Sequence, residues 1–358
     1  MRILVAMSGG VDSSVVAGLL KDQGHEVIGV TMKLWEGENG EMPETGCCTA
    51  SDSEDARKVA GKLDIPYYVL DYTDSFSDSV VDNFIEMYSS GLTPNPCIEC
   101  NRSVKFDHFL DQANELGCDK VATGHYAKIV RKNNHLELHR ADYKEKDQSY
   151  VLHMLTEEKL DRILFPLGTI SKPEVRQMAA NLGLKTAFKK DSQDICFVGN
   201  GDYRNFVANK IDLKSSGEIV DLKGNKVGEH SGVHGFTVGQ RKKLPGGQGS
   251  PKFVLEIDTL NKKVIIGSKK ELEEDSFIMG DVSFIRDEIY NNLEIQVRYN
   301  SETVPCTISK LDENRVKVQL SSSTAGISPG QFGVLYSNTK VVGGGRIEKR
   351  RKVGALIE

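Results

Sequence analysis

Arg2-Ile3-Leu4-Val5-Ala6-Met7-Ser8-Gly9-Gly10-Val11-Asp12-Ser13-Ser14 opens the chain, and reading it decides the fold. Residues 2–7 are a short apolar run, Ser8-Gly9-Gly10 is a turn, and residues 12–23 carry Val15, Val16, Leu19 and Leu20 at helical spacing. A strand that feeds a glycine turn and then a helix makes an anion site. The glycines let the backbone turn tightly and approach a ligand, while the helix N-terminus offers unpaired N–H groups and the positive end of a dipole. Ser8, Ser13 and Ser14 add hydroxyl donors. The turn contains neither GxxxxGK[ST] nor GxGxxG, so neither a Walker-type phosphoryl-transfer site nor a dinucleotide site is supported. The bland alternative is a Gly-Gly turn with Asp12 merely capping the helix. The strand–loop–helix context favours the anion site.

Working outward, the same rhythm continues. Residues 27–33 read as a strand. Residues 51–63 read as a helix opened by Ser/Asp caps, with Ala56, Val59, Ala60 and Leu63 on one face. A strand is expected at 66–71, helices at 75–88 and 103–116, and a short buried strand at 120–123. This βαβα alternation predicts an α/β fold with a parallel sheet, whose ligands bind beyond the carboxyl ends of the strands. After about residue 200 the texture changes. Hairpins are expected at 218–227, turned through Lys223-Gly224-Asn225, and at 253–257 with 263–266. From 277 onward the segments 293–297, 303–309, 315–320 and 333–336 are short, β-rich and turn-bounded, as in a small barrel or sandwich. The boundaries fall near 205 and 270, giving domains 1–205, 206–270 and 271–358.

Composition narrows the class. The 358 residues carry a net charge of -5, 39% hydrophobic and 27% charged residues, as in an ordinary soluble protein. No uncharged apolar run approaches the roughly 18 residues of a membrane span. No basic-then-apolar leader stands at the start, so a cytoplasmic location is expected. The acidic balance argues against a basic coat for nucleic acid but leaves room for a local basic groove. The densest basic cluster, Arg346, Lys349, Arg350, Arg351 and Lys352, reads as a solvated terminus. Seven cysteines, at 47, 48, 97, 100, 118, 196 and 306, are too few and odd in number for a disulfide framework.

Two of these thiols lie in Thr93-Pro94-Asn95-Pro96-Cys97-Ile98-Glu99-Cys100-Asn101, just before the expected 103–116 helix. A helix N-terminus stabilises a thiolate. A third thiol ends Lys190-Asp191-Ser192-Gln193-Asp194-Ile195-Cys196. Structural zinc needs four ligands, and no second CxxC stands at suitable spacing. Zinc ranks second, and buried inert thiols are the bland reading.

The loop resembles the signature of the PP-loop ATP pyrophosphatases. That likeness implies that Ala6, Met7, Ser8, Gly9, Gly10, Val11, Asp12 and Ser13 cradle the pyrophosphate part of ATP, with Asp12 helping to hold Mg²⁺. The resemblance then sharpens. The loop, Met32, Gly46-Cys47-Cys48, the Pro94–Asn101 motif, Ala122-Thr123-Gly124-His125-Tyr126-Ala127, Lys146-Asp147-Gln148-Ser149-Tyr150 and Cys196-Phe197 are similar to the tRNA-specific 2-thiouridylases (MnmA/TrmU type). So are Glu229-His230, Thr237-Val238-Gly239-Gln240-Arg241 and Ser328-Pro329-Gly330-Gln331. The blocks stand in family order along essentially the whole chain.

This likeness implies a PP-loop (adenine nucleotide alpha hydrolase-like) domain, a small central β-rich domain and a C-terminal β-barrel. It implies ATP-dependent 2-thiolation of the wobble uridine of tRNA, with tRNA and a sulfur donor (a cysteine desulfurase or sulfur-relay protein) as partners. Cys196 corresponds to the persulfide carrier and Cys100 to its partner. Met32 would border the adenine, with Gly124 on the same ATP site. Asn95, His125, Lys146, Asp147, Gln148, Arg298, Tyr299 and Gln331 would meet tRNA, the last three from the barrel, with Arg298 and Tyr299 on a strand. One residue departs from the pattern: Cys97 stands where many members have Asp. Three thiols, Cys97, Cys100 and Cys196, could then hold a [4Fe–4S] cluster in place of the persulfide cycle. Both mechanisms stay open on sequence. The competing functions are a PP-loop ligase or amidotransferase acting on a small molecule, and a non-catalytic zinc- and RNA-binding protein. Trp35 and Cys118 read as packing, and Cys306 is left unassigned.

Overall fold

The structure is a computed structural model that describes residues 1–36, 49–189, 195–198, 203–210, 216–245, 250–286, 288 and 290–349. Gly46-Cys47-Cys48, residues 190–194 and the tail from Arg350 lie outside the described residues. The chain divides into two compact units. One holds Met1–Val81, Pro96–Asn200 and Thr339–Val341, and the other holds Asp82–Asn95, Gly201–Asn338 and Val342–Glu358.

The first unit contains β1 (Arg2–Ala6), β2 (Glu26–Lys33), β3 (Tyr67–Asp71), β4 (Lys120–Ala122), β5 (Ala127–Lys132), β6 (His135–Arg140) and β7 (Ile163–Leu164). Five of them form a parallel sheet in the order β3-β2-β1-β4-β7. Ile3, Leu4 and Val5 of β1 are fully buried, because a central strand of a parallel sheet is covered on both faces. From β1 the chain goes to β2 on one side, while β4 flanks β1 on the other. The strand order reverses there, and such a switch point is where open α/β sheets place their ligands.

Helix α1 (Val11–Asp22) packs Val15 and Val16 against Val175 and Ala179 of the Lys172–Asn181 helix. Helix α2 (Ala50–Lys62) starts one residue earlier than its sequence suggests. Its cap is Thr49, locked in a capping box with Asp52.

Two expected helices are broader and less regular than their sequence patterns. The 75–88 pattern is realised as α-helix at Thr73–Phe76, a π-helical stretch at Ser77–Val81 and α-helix at Asp82–Ser89. The 103–116 pattern begins at Pro96, as an α-turn at Pro96–Glu99, a π-helical stretch at Cys100–His108 and α-helix at Phe109–Glu115. Proline pre-sets the backbone for a first helical turn. Ser103, which looks like a start, instead donates its hydroxyl back to Glu99 O at 2.8 Å, the bond of a helix interior. The CxxC therefore lies inside the helical run, with Cys97 in its first turn and Cys100 past it.

The β5–β6 hairpin was not expected from sequence. It turns through Asn133 and Asn134, at φ 49° and 64°, where Asn tolerates the left-handed region. Lys128, Arg131, Lys132 and the histidines at 135 and 139 hide its alternation.

The second unit contains two β structures. β8 (Gly217–Asp221), β9 (Lys226–His230), β10 (Phe253–Asp258) and β11 (Lys263–Gly267) form a sheet in the order β10-β11-β8-β9. Both expected hairpins are present, joined by a parallel β11–β8 pairing. β12 (Glu274–Phe284), β13 (Leu293–Gln296), β14 (Val304–Lys310), β15 (Val316–Thr324), β16 (Phe332–Ser337) and β17 (Lys340–Ile347) run in the order β12-β15-β14-β13-β16-β17. A β12–β17 pairing closes them into a six-stranded barrel. Its core holds Met279, Ile295, Val318, Leu335 and Val342, and Cys306 is buried among them. Among the described residues, no helix is long and apolar enough to cross a membrane.

Candidate active site

The loop at 8–13 is held by its own short-range bonds. The Ser8 N–H donates to Ser13 Oγ at 3.1 Å, and the Ser14 hydroxyl donates to Gly10 O at 2.7 Å. Gly9 takes φ 69°, and a Cβ there would lie 2.1 Å from the Asp52 carbonyl oxygen. Only glycine fits that turn against α2. Gly10 is the N-cap of α1, and no side chain caps the helix. Asp12 is therefore not a cap, and the first N–H groups of α1 are left for a ligand.

Asp12 is engaged elsewhere. Lys172 Nζ donates to its two carboxylate oxygens at 2.8 and 2.7 Å, and the Tyr126 hydroxyl donates to Oδ1 at 2.8 Å. A second lysine braces the far side of the loop. Lys189 Nζ donates to Gly9 O at 3.1 Å, Asp52 Oδ1 at 2.6 Å and Asp55 Oδ2 at 2.7 Å. Burial works against the Asp52 charge, but Lys189 and Thr49 outweigh it and hold the carboxyl below its ordinary value. Burial likewise opposes the Lys189 charge, and the two carboxylates overcome it and raise its pKa. Sequence reading missed Lys172, Lys189 and Tyr126. A usable signal was present for one of them: Ser171-Lys172-Pro173-Glu174 is a helix start with a cation on its first turn, against the dipole.

The motif after β4 closes the other wall. A Cβ on Gly124 would lie 3.0 Å from the Asp12 Cβ and 3.1 Å from the Ser13 nitrogen, so β4 ends directly against the loop. Met32, at the carboxyl end of β2, is 7% exposed. His125 shares a hydrogen bond with Thr123 Oγ1 at 2.7 Å and packs beside the Phe106 and Phe165 rings. Burial first, then Lys105, pushes its pKa well below the ordinary value, so the imidazole is neutral at pH 7.

Asp147 and Gln148, expected at tRNA, bond within the protein. The Asp147 carboxylate accepts from Arg140 at 2.8 Å, the Ala141 N–H at 2.9 Å and the Ser149 hydroxyl at 2.9 Å. Gln148 exchanges bonds with the Tyr126 backbone at 3.0 and 2.8 Å. Gln148 thereby steadies Tyr126, the residue that bonds Asp12. Lys146, one residue earlier, is half-buried at the end of a short 3₁₀ turn.

The three cysteines differ in setting. Cys97 is exposed, Cys100 is 6% exposed, and Cys196 is half-buried. Phe197, next to Cys196, is buried edge-on to Phe76 at 5.7 Å and beside Trp35 at 6.2 Å, so Trp35 packs the segment that carries Cys196. Among the described residues, no three Cys, His, Asp or Glu side chains gather as a metal would require. Burial raises the pKa of Cys118, and it pushes the Cys306 thiol up to about 12.

In the second unit, Arg298 and Tyr299 follow β13 in a turn instead of lying on a strand. The Arg298 guanidinium donates to Gly326 O at 2.8 Å, Val238 O at 2.9 Å and Ser328 Oγ at 2.6 Å. It ties protein to protein, while Tyr299 is exposed. Gln331 Nε2 donates to Thr93 O at 3.0 Å and Pro94 O at 3.2 Å, and the Thr93 N–H donates to Pro329 O. The 328–331 turn therefore clasps the segment that leads through Asn95 to Pro96.

The parallel sheet, the uncapped phosphate loop and the two β units define a HUP-domain protein with appended barrels. Family models described as a tRNA methyl transferase HUP domain, a tRNA methyl transferase PRC-barrel domain and an aminomethyltransferase β-barrel domain match residues 1–200, 204–268 and 274–347. A tRNA-specific 2-thiouridylase MnmA of Herpetosiphon aurantiacus is 44% identical over 353 residues, covering 98% of this chain and 99% of the relative. That of Rickettsia typhi is 45% identical over 353 residues, covering 97% and 98%. That of Clostridioides difficile is 44% identical over 354 residues, again covering 97% and 98%. The chain belongs to the tRNA-specific 2-thiouridylase family.

Proposed function

We propose that the protein is an ATP-dependent tRNA sulfurtransferase that makes 2-thiouridine at the wobble position. One observation carries the reading. An uncapped anion loop at the switch point of the sheet stands in a chain 44% identical, over 98% of its length, to a protein named for that activity. The domain descriptions speak of methyl transfer, but the full-length relatives are named for thiolation, and the proposal follows them.

The chemistry explains why ATP is required. The C2 oxygen of uridine is a poor leaving group. Its attack on the α-phosphate of ATP expels pyrophosphate and turns it into an adenylate. Residues 6–13 would hold the pyrophosphate portion, Met32 would border the adenine, and Gly124 would let β4 approach the same nucleotide. A magnesium ion on the phosphates prefers a few carboxylates plus water, and Asp12 suits that donor set once released from Lys172. The ion would neutralise phosphate charge.

Sulfur then comes from a persulfide on Cys196. Its terminal sulfur attacks C2, AMP leaves, and Cys100 attacks the Cys196 sulfur to free the thiouridine. A Cys100–Cys196 disulfide results, which a thiol reductant resets. Cys97, exposed on the first helical turn, would border the target base with Asn95. Tyr299 would meet tRNA by stacking. Arg298, Gln331, Asp147 and Gln148 would act chiefly by shaping the surface, with His125 and Lys146 as further contacts. The reading assigns 1–205 to catalysis, 206–270 to the small central domain and 271–358 to the tRNA-contacting barrel. It includes a sulfur-donating partner and a cytoplasmic location.

The test is nucleoside analysis of tRNA incubated with ATP and a sulfur donor. Wild type makes 2-thiouridine. Cys100→Ser and Cys196→Ser each lose at least about a thousandfold of that rate, as expected for removed nucleophiles, while still binding ATP. Normal thiouridine from either variant would overturn the assignment. About four irons with matching sulfide in anaerobically purified protein, lost in Cys97→Ala, would replace the persulfide with the cluster.

A further inference from the structure

We propose that the outer edge of β3 is a docking surface for a protein that carries a persulfide within a basic rim, a cysteine desulfurase, which loads sulfur onto Cys196. The inference rests on the Cys196 reading and adds to it the surface that receives the donor.

Among the described residues β3 ends the five-stranded sheet, so one side of its backbone has no strand partner. Edge strands are commonly blunted by lysine, by inward charges or by a covering helix. Tyr67-Tyr68-Val69-Leu70 carries no charge, and Tyr68 and Val69 are 49% and 48% exposed. The Tyr67 hydroxyl donates to Thr31 Oγ1 at 2.7 Å and meets Ser53 of α2 at 3.1 Å. Tyr67 and Val69 therefore lean toward α2, and Tyr68 leans the other way. The crossover from β3 back to β4 reverses the direction of travel across the sheet. A right-handed connection then puts its first helix, Thr73–Phe76, on the Tyr68 side.

Charge decides the occupant. From Asp64 to Asn101 the chain has no Lys, Arg or His. Asp64 precedes the strand, Asp71 ends it, Asp74 and Asp78 follow it, and all four are exposed. Lys33 is shared between Asp71 and Glu36, and Arg57, near Tyr67, is held by Glu54 through two bonds of 2.8 Å. Such a face repels RNA. A second copy pairing edge to edge would set carboxylates against carboxylates. A protein with an extended apolar segment inside a basic rim matches both the strand and its charges.

What that protein brings is set by the inner side of the same helix. Phe76 is fully buried and meets Phe197 edge-on at 5.7 Å, next to Cys196. The helix thus carries Asp74 outside and the seat of Cys196 inside. On docking, the Cys196 thiolate attacks the sulfane sulfur of the donor's persulfide. The donor's S–S bond breaks, its own thiolate leaves, and Cys196 holds the new persulfide. The exchange is redox-neutral and needs no further reactant.

The experiment uses the full chain, tRNA, ATP and the cognate cysteine desulfurase with radiolabelled cysteine, and reads label on Cys196 and pyrophosphate separately. Tyr68→Ser and Asp78→Lys are each expected to slow loading about 10-fold at low salt. The Asp78→Lys deficit should shrink to within about twofold at about 0.5 M salt, where exposed charges are screened, while the Tyr68→Ser deficit persists. Pyrophosphate formation with tRNA, which needs no donor, should stay within about twofold in both. Asp22→Lys makes the same change in net charge on an exposed residue of α1 and should load as wild type.

Unchanged loading in Tyr68→Ser and Asp78→Lys would overturn the assignment. So would an equal loss of loading and pyrophosphate, the mark of a structural defect, or an equal loss in Asp22→Lys, the mark of bulk charge. If Cys196 of the wild type takes no label from the desulfurase, the docking proposal fails. If Cys196→Ser also makes normal thiouridine, the Cys196 reading fails with it.

Discussion

The phosphate loop and the cysteine region are built on different principles. The loop is held by bonds spanning three to five residues, between Ser8 and Ser13 and between Ser14 and Gly10. The cysteine region depends on distant pieces of chain. Thr93 and Pro94 are clasped by Gln331, more than two hundred residues away, and Cys196 is seated by Phe197 against Phe76 and Trp35. Local backbone geometry shapes the first site, with Lys189 and Lys172 bracing it from a distance. Tertiary packing makes the second.

The largest expected effect tests the claim that the loop is a backbone device. Gly9→Ala adds a Cβ 2.1 Å from the Asp52 carbonyl at φ 69°, and should cost about 2–6 kcal/mol by strain and overpacking together. Gly24→Ala has a similar φ of 79° with nothing within 4 Å, and should cost only about 1 kcal/mol. Urea unfolding of the two variants measures the difference. Equal losses would mean that the close approach to α2 is unimportant.

Next comes the second unit. Arg298→Ala should destabilise by about 2–3 kcal/mol, because it strips charge-assisted bonds from Gly326, Val238 and Ser328. Tyr299→Ala should change stability by less than about 0.5 kcal/mol while weakening tRNA binding. Thermal melts with filter binding separate the two roles, and the opposite pattern would return Arg298 to phosphate contact.

The smallest effect is on pH. The folded pKa of Asp52 lies below its ordinary 3.8, so its contribution is complete above that value and is lost as pH falls through the lower folded value. Stability measured between about pH 5 and 3 should fall less steeply in Asp52→Asn than in wild type. Parallel curves would show that the Lys189–Asp52 pair adds nothing to the wall of the loop.

The sheet and the loop were legible because both are local: period, glycine turn and cap lie in one stretch of sequence. The barrel strands were legible for the same reason. The β5–β6 hairpin was not, since its charged residues mask the alternation that a half-buried strand shows. The helical run from Pro96 was misjudged because Ser103 looks like a cap and behaves as an interior residue. Arg298 and Gln331 are expected as contacts for tRNA, and the structure adds that each is bonded within its own unit. No sequence rule shows that this guanidinium also bonds a carbonyl 28 residues away. Lys172 carries only a weak sequence signal, a cation on the first turn of a helix, and gains meaning only when folding sets it beside Asp12.

The most direct test of the account is pyrophosphate release from ATP by Cys196→Ser, with and without tRNA. The account predicts release that requires tRNA and stops short of thiouridine, because adenylation precedes sulfur transfer. Release of orthophosphate instead, or pyrophosphate formed equally without tRNA, would contradict it.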